Sequence, residues 1–309
     1  MNLRHFLSSD DITSSEQRAL VTRARQLKGS RTRHRKSLAG KSIGMIFEKP
    51  STRTRISFEV AVAEMGGHPV ILRSDEMQLG RGETLEDTGR VLSRYLDALV
   101  VRTYGQDRLE GLAESSTIPV INALSDLEHP CQALADVMTV AERFDNPSDV
   151  RFVYLGDGNN VCHSLLLAGA KAGLGSVTAV CPEGFEPIEP LVERSISIGE
   201  ETGTKILTTT DPREACEGAH VLYTDVWASM GQEAEHAQRL KSFKGFQLDE
   251  DLLARADPGA IVMHCLPAHR GEEISAEVIE GPASAVWDQA ENRLHTQKAL
   301  VEWLLKELP

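Results

Sequence analysis

The amino-acid sequence predicts an α/β fold made of two doubly wound parallel-sheet domains. Three observations carry that prediction. Short β-branched runs alternate with helical patterns, the signature of parallel α/β sheets. The alternation stops at Asp145-Asn146-Pro147 and then begins again. The length, 309 residues, suits two domains of ordinary size, each long enough to bury a core.

Taken in order, Ser42–Phe47 (SIGMIF) reads as a buried strand. Ser51–Met65 reads as a helix with Phe58, Ala61, Val62 and Met65 on one face and Gly66-Gly67 as its stop. His68–Leu72 is a strand, Thr84–Tyr95 a helix, and Ala98–Arg102 and Pro119–Ala123 are strands. Cys131–Phe144 is a helix, so the first domain is taken as 1–144 and the second as 145–293. In the second, Arg151–Leu155 is a strand, Val161–Ala172 a helix and Ser176–Cys181 a strand. Later strands are expected at His220–Asp225, Ala260–Cys265 and Ala285–Trp287. The final helix, Thr296–Leu308, carries an apolar stripe at Ala299, Leu300, Trp303 and Leu304, and the segment 294–309 is expected to pack back on the first domain. In open α/β sheets ligands bind outside the carboxyl ends of the strands, so the loops that follow them are where chemistry is expected.

Composition narrows the function. Hydrophobic residues at 41% and charged residues at 26% are ordinary for a globular chain and argue against a disordered or fibrous one. A net charge of −13 repels nucleic acid and anionic lipid, so neither is an expected partner. It does not exclude an anionic small substrate, because a few arginines invert the sign locally. Five cysteines, odd in number and without a C-x-x-C, fit free thiols in a reducing, cytoplasmic compartment. Met1 to Gln17 lacks the apolar core of a secretory leader, and no apolar run reaches membrane-spanning length. No metal-ligand spacing is present, and no cofactor is expected.

The segment Glu48-Lys49-Pro50-Ser51-Thr52-Arg53-Thr54-Arg55 joins a strand to a helix. First-turn amides lack intrahelical partners and lie at the positive end of the helix dipole, a ready anion site. Hydroxyls of Ser51, Thr52 and Thr54 add donors, and Arg53 adds a planar fork suited to phosphate. The pattern G-x-x-x-x-G-K-[ST] is absent, so a nucleoside triphosphate is not the first expectation.

With three further segments, Ser51-Thr52-Arg53-Thr54-Arg55 resembles the aspartate and ornithine carbamoyltransferase family. The others are Asp126-Leu127-Glu128-His129-Pro130-Cys131-Gln132, Asp225-Val226-Trp227-Ala228-Ser229-Met230-Gly231 and His264-Cys265-Leu266-Pro267, in the family's order and spanning most of the chain. The last two resemble the ornithine branch. The resemblance implies two α/β domains, carbamoyl phosphate bound by the first and L-ornithine by the second, and an active site in the cleft between them. It also implies a homotrimer, or an assembly of trimers, with sites at subunit borders.

Residue by residue, it implies that Ser51, Thr52, Arg53 and Thr54 anchor the phosphate and that Arg102 bridges phosphate and carbonyl oxygen. By itself Arg102 is equally an edge arginine paired with an acid. His129 would donate to the carbonyl oxygen, as an oxyanion-hole group does, while Pro130 holds the chain extended there. Gln132 would accept from the carbamoyl NH₂, as would the Cys265 and Leu266 carbonyls. Arg293 would reach the carbamoyl phosphate, and Gln78, in a glycine-flanked loop, would enter a neighbouring subunit's site. Asp225 would hold the ornithine amine, with Asn160, Ser229 and Met230 gripping the amino-acid head. The Cys265 thiol would orient or deprotonate the amine; a covalent cysteine nucleophile competes with that role but lacks a third orienting group.

Two other classes remain open on sequence. Gly156-x-Gly158-x-x-Val161 after a strand, with Glu183 beyond it, partly matches a dinucleotide fingerprint, but Val161 stands where a third glycine or alanine belongs. A non-catalytic anion sensor on the same fold is the other. Within the enzyme class, aspartate, putrescine and N-acetylornithine are the alternative acceptors.

Overall fold

Strands and helices alternate along nearly the whole chain. The structure, a computed structural model, describes residues 3–31, 36–73, 82–228 and 236–306. Its first elements are α1 (Ser14–Gly29), β1 (Ser42–Phe47), α2 (Thr52–Glu64), β2 (His68–Arg73), α3 (Leu85–Leu92), β3 (Ala98–Arg102), α4 (Gln106–Ser115), β4 (Val120–Leu124) and α5 (Pro130–Arg143). There follow β5 (Arg151–Leu155), α6 (Asn160–Ala172), β6 (Ser176–Val180), α7 (Glu189–Thr202), β7 (Lys205–Thr209), α8 (Pro212–Cys216) and β8 (Val221–Thr224). The last are α9 (His236–Ser242), α10 (Glu250–Leu253), β9 (Ile261–His264), α11 (Ala276–Ile279) and α12 (Val286–Lys306). Contacts divide the chain into two units, 1–135 with 291–309, and 136–290. No helix among the described residues is long and apolar enough to cross a membrane.

The first unit holds a four-stranded parallel sheet in the order β2-β1-β3-β4. Residues 98–101 of β3 are buried on both faces, as a central parallel strand must be. The edge strand β2 is only half-buried. At the other edge Phe6 closes the ladder: its N–H donates to the Val120 carbonyl at 2.9 Å, and the Asn122 N–H donates to the Phe6 carbonyl at 2.7 Å. An open edge is thereby covered. Helix α2 buries Thr54, Phe58, Ala61 and Val62, a stripe with helical spacing that faces the core. Fully burying one such large apolar side chain stabilises by about 1.5–3 kcal/mol. Gly66, at φ 83°, takes the left-handed turn that ends the helix.

The second unit holds a five-stranded parallel sheet in the order β7-β6-β5-β8-β9. Alternate strand residues feed two core clusters. Phe152, Tyr154, Tyr223 and Met263 enter one, and Val153, Leu155, Leu222 and Val262 enter the other with Phe243.

One expectation fails. Residues 285–287 form no strand: Ser284 makes an isolated bridge to Val262, and Val286 already opens α12, which runs unbroken to Lys306. Val286 turns into the core as the first residue of α12 while Trp287 is 56% exposed, and the last helix begins ten positions before the expected start at Thr296. The edge strand β7 and helices α1, α4 and α7 were not singled out by the sequence patterns.

In each sheet the strand order reverses beside the first strand of the unit: between β1 and β3 in one, between β5 and β8 in the other. At such a switch point adjacent loops leave in opposite directions and open a crevice at the carboxyl ends of the strands.

Candidate active site

In the first unit the turn after β1 is braced before it enters α2. The Glu48 N–H donates to the Arg102 carbonyl at 2.9 Å. The Glu48 carboxylate accepts from the Thr103 hydroxyl and from Arg108, whose Nε lies at 3.2 Å. Lys49 pairs with Asp126 and lies over the Tyr104 ring, 4.3 Å from its centroid. Ser51 caps α2 in an extended conformation, yet its hydroxyl makes no capping bond to the helix. First-turn amides and hydroxyl are therefore left for an external acceptor.

Arg102 ends β3 where the pairing with β4 shifts register between Val101 and Arg102. Such irregularities re-aim a side chain at a strand end. Behind the cradle, Arg293 of α12 donates to the Thr54 hydroxyl at 3.2 Å and to Gln132 Oε1. Thr54, Gln132, His129 and Arg293 are all at most 5% exposed. Burial, and then the guanidinium charges of Arg293 and Arg102, push the His129 imidazole well below its ordinary range. His129 is thus a neutral donor in a cationic pocket. Thr52 and Arg53 occupy the exposed side of the first turn. Cys131 is structural: burial pushes its thiol up to about 12, and it donates to the Asn122 carbonyl at 3.3 Å.

In the second unit the loops after β5 and β8 meet at the switch point. Asp225, 5% exposed, accepts from the Cys265 thiol at 2.9 Å on one oxygen and from Asn159 Nδ2 at 2.9 Å on the other. Asn159 also caps α6, its Oδ1 accepting from the N–H groups of Val161 at 2.9 Å and Cys162 at 3.2 Å. Sequence reasoning named Asn160, which is the half-buried first residue of α6; the amide turned to Asp225 belongs to Asn159. The signal that separates the two is the preference of asparagine for the cap position. Nearby, Arg239 pairs with Asp157 at 2.7 Å and donates to the Trp227 carbonyl at 2.8 Å, tying the Asp225–Ala228 loop to α9.

Burial, followed by the Asp225 charge, pushes the Cys265 thiol well above its ordinary range. It is a donor, not a thiolate, which disfavours the covalent-nucleophile reading. Leu266 adopts φ 58°. Its N–H donates to His264 Nδ1 at 2.8 Å, so the His264 proton resides on Nε2, which donates to Glu273 at 3.1 Å. Donor atoms of Asp225, His264 and Cys265 lie within 4.8 Å of one another, as do those of His269, Glu272 and Glu273. Both ring nitrogens of His264 are already engaged, which leaves the first group without a free imidazole ligand. Gln78, Ser229 and Met230 lie outside the described residues.

The geometry agrees with known proteins over the whole chain. The family model described as aspartate/ornithine carbamoyltransferase, carbamoyl-P binding domain, matches residues 4–142. The model for the Asp/Orn binding domain of the same family matches residues 148–304. The ornithine carbamoyltransferase of Parafrankia sp. (strain EAN1pec) is 58% identical over 310 residues, spanning 99% of this chain and 98% of that protein. That of Acidothermus cellulolyticus is 57% identical, spanning 98% and 97%. Among solved structures, the ornithine carbamoyltransferase from Pyrococcus furiosus superposes with a TM-score of 0.94 at 49% identity, covering 99% of this chain and 98% of that one. With both family models matched, full-length relatives above half identity and the same fold throughout, the chain belongs to the aspartate/ornithine carbamoyltransferase family.

Proposed function

We propose that this chain transfers the carbamoyl group of carbamoyl phosphate to the side-chain amine of L-ornithine, giving L-citrulline and phosphate. One observation carries the reading: each switch point holds a different half of the required chemistry. In the first unit a cation-rich site gathers at the carboxyl ends of β1 and β3, with the neutral imidazole of His129 following β4 beside Arg293. A carboxylate that accepts from a thiol and an amide follows β5 and β8.

The first unit and the C-terminal segment hold carbamoyl phosphate. First-turn amides of α2, the hydroxyls of Ser51, Thr52 and Thr54, and Arg53 take the phosphate oxygens. Arg102 bridges phosphate and carbonyl oxygen, and neutral His129 donates to that oxygen as the carbon becomes tetrahedral. Gln132 Oε1 already accepts from Arg293, but a carbonyl oxygen has two lone pairs and can also take the carbamoyl NH₂. The Cys265 and Leu266 carbonyls take its other hydrogen.

The second unit holds ornithine, its amine at Asp225 and its amino-acid head at Asn160, Ser229 and Met230. The free amine has a pKa near 10, so it must shed a proton before it attacks. Because the Cys265 thiol is itself held protonated, it orients the amine through Asp225 and does not act as the base. The carbon–nitrogen bond forms, the carbon–oxygen bond to phosphate breaks, and the departing phosphate takes the last proton. A homotrimer, with Gln78 reaching a neighbouring subunit, and a cytoplasmic location are part of the same proposal. The family resemblance supports the trimer, and the unpaired cysteines support the reducing compartment.

The test is to supply carbamoyl phosphate with ornithine, aspartate, putrescine or N-acetylornithine and measure the ureido product. Citrulline from ornithine alone is the expected result. Turnover with another amine would reassign the acceptor, and no turnover with any would overturn the function.

A further inference from the structure

In the second unit two imidazoles converge on one carboxylate oxygen that the transfer chemistry does not use. His236, the first residue of α9, has its Nε2 3.0 Å from Glu272 Oε2. His269 Nδ1 stands 3.6 Å from the same oxygen, beyond hydrogen-bond length. These side chains are 39%, 46% and 30% exposed for His236, His269 and Glu272, so an ion reaches them from solvent. Glu273 lies against them: it is 0% exposed, and donor atoms of His269, Glu272 and Glu273 lie within 4.8 Å of one another. Its Oε1 accepts from His264 Nε2 at 3.1 Å and from the His269 N–H at 2.5 Å. Its Oε2 is buried and has no hydrogen-bond partner among the described residues. A buried carboxylate oxygen left without a donor is rare and calls for a water or a cation.

We propose that His236, His269 and Glu272, with Glu273 beside them, bind a divalent transition-metal ion such as zinc.

The donor set and the spacing both fit. Imidazole nitrogens with a carboxylate oxygen suit a borderline-soft ion, whereas calcium and magnesium take oxygen ligands. In a tetrahedral site with bonds of about 2.0–2.1 Å, neighbouring ligand atoms stand about 3.3 Å apart. The distances of 3.0 and 3.6 Å bracket that value. Two carboxylates bring two negative charges, which one divalent ion balances, while Arg270 between the ligands is paired with Glu280 instead. His269 to Glu273 form a built turn. The Glu272 N–H donates to the His269 carbonyl at 2.9 Å, and the Gly271 N–H, at φ 90°, donates to the Ile274 carbonyl at 2.8 Å. His236 comes to this turn from 36 positions before Glu272, which is why no ligand spacing shows in the sequence. An ion held there would staple α9 to the turn that follows Cys265 and Leu266. Arg239 of the same helix donates to the Trp227 carbonyl at 2.8 Å, so the staple would also stiffen the loop that begins at Asp225. Binding does not depend on which amine is the acceptor.

The test uses full-length protein freed of metal by a chelator and titrated with zinc against a chromophoric competitor. The parent should bind zinc, and His236→Ala or His269→Ala should weaken binding by at least about 100-fold, the upper end of what loss of an outer-shell partner alone costs. Glu272→Gln, which keeps the shape and removes the charge, should weaken it by a similar factor. Cys265→Ser should bind zinc as the parent does. Cobalt in place of zinc should give visible bands without the near-ultraviolet sulfur-to-metal band that a Cys265 ligand would add. Zinc at about 100 times its Kd should raise the Tm of the parent and leave that of the histidine variants unchanged. Because both histidines are part-exposed, the metal-free variants should melt with the metal-free parent. A parent that binds no zinc, binding that survives both histidine substitutions, or binding lost in Cys265→Ser would overturn the proposal.

Discussion

His129→Ala removes an imidazole that is 5% exposed and stands beside Arg102 and Arg293 at the entry to α5. If it donates to the carbonyl oxygen as that oxygen gathers charge, its loss removes one preorganised donor. Such donors contribute about 2.7–4 kcal/mol to the barrier, so kcat should fall by about 10²–10³. The KM for carbamoyl phosphate should rise only a few-fold, because the α2 amides and Arg53 still hold the phosphate. The charge state adds a second test. Burial and two guanidiniums lower the folded-state pKa, while the unfolded chain titrates near 6.5. Below about pH 6.5 the unfolded state therefore binds a proton that the fold refuses, and this residue's effect on stability worsens by about 1.4 kcal/mol per pH unit until the lowered value is reached. Above about pH 6.5 that penalty vanishes. Citrulline initial rates and urea unfolding, from about pH 5 to about pH 9, measure both effects. The acid loss of stability should be shallower in the variant. A fall in kcat below tenfold would refute the donor role, and an activity limb titrating near 6.5 that vanishes in the variant would refute the neutral imidazole.

Asp225→Asn leaves an amide facing the Cys265 thiol or the Asn159 amide, both donors, and removes the charge proposed to meet the amine. At about 2–5 kcal/mol for one partner of a buried charge pair, ornithine kcat/KM should drop by about 30- to 5,000-fold with carbamoyl phosphate binding preserved; calorimetry and rate assays separate the two. At Gly158 an added Cβ would overlap the backbone of Glu186 and Pro187, with the Glu186 oxygen only 2.7 Å away. Gly158→Ala should destabilise by about 1–3 kcal/mol and displace Asn159, seen as a lower Tm together with a raised ornithine KM. Glu16 completes a capping box with Thr13 and pairs with Arg4, which lowers its carboxyl from 4.5 to about 2. A depressed carboxylate stabilises above its unfolded pKa and ceases to as pH falls through the folded value, so Glu16→Gln should cost about 1 kcal/mol at neutral pH, discounted for solvent screening, and nothing below about pH 2; thermal melts check it. With Cys265 held protonated, ornithine kcat/KM should climb toward alkaline pH as more amine is free, and a flat profile would count against the account.

Central parallel strands were the most legible part of the fold. β3 and β5 are apolar runs because neighbours cover both faces, and their residue limits follow from the sequence. β7 escaped because it is an edge strand, mostly exposed, and Lys205-Ile206-Leu207-Thr208-Thr209 has no long apolar run. Residues 285–287 misled in the opposite direction: Val286 and Trp287 favour strands locally, but the 21-residue helix that they open decides the matter. In the candidate site, Arg102, His129, Gln132, Asp225, Cys265 and Arg293 were named from motif context, and the structure brings Gln132 to Arg293 and Cys265 to Asp225. The hydrogen bonds between distant members, such as Arg293 with Thr54, were not. Asp136, Tyr223 and Gln289 were invisible, since within their elements they look like ordinary helix and strand residues. Their hydrogen-bonded cluster forms only where α5, β8 and α12 converge.

Leu266 shows what a rigid site demands of its backbone. A non-glycine residue in the left-handed region carries roughly 1–2 kcal/mol of strain, and here it is held between the His264 ring and a side chain packed on the core. Glycine would relieve the strain but would give up that apolar anchor and loosen the unfolded chain. The leucine therefore works as a detent: the peptide groups at 265–266 are set before a substrate arrives, and little reorganisation is left to do during the reaction. Substitutions that raise overall stability by relaxing this bend would be expected to slow turnover, so the position marks a place where robustness and rate are in opposition.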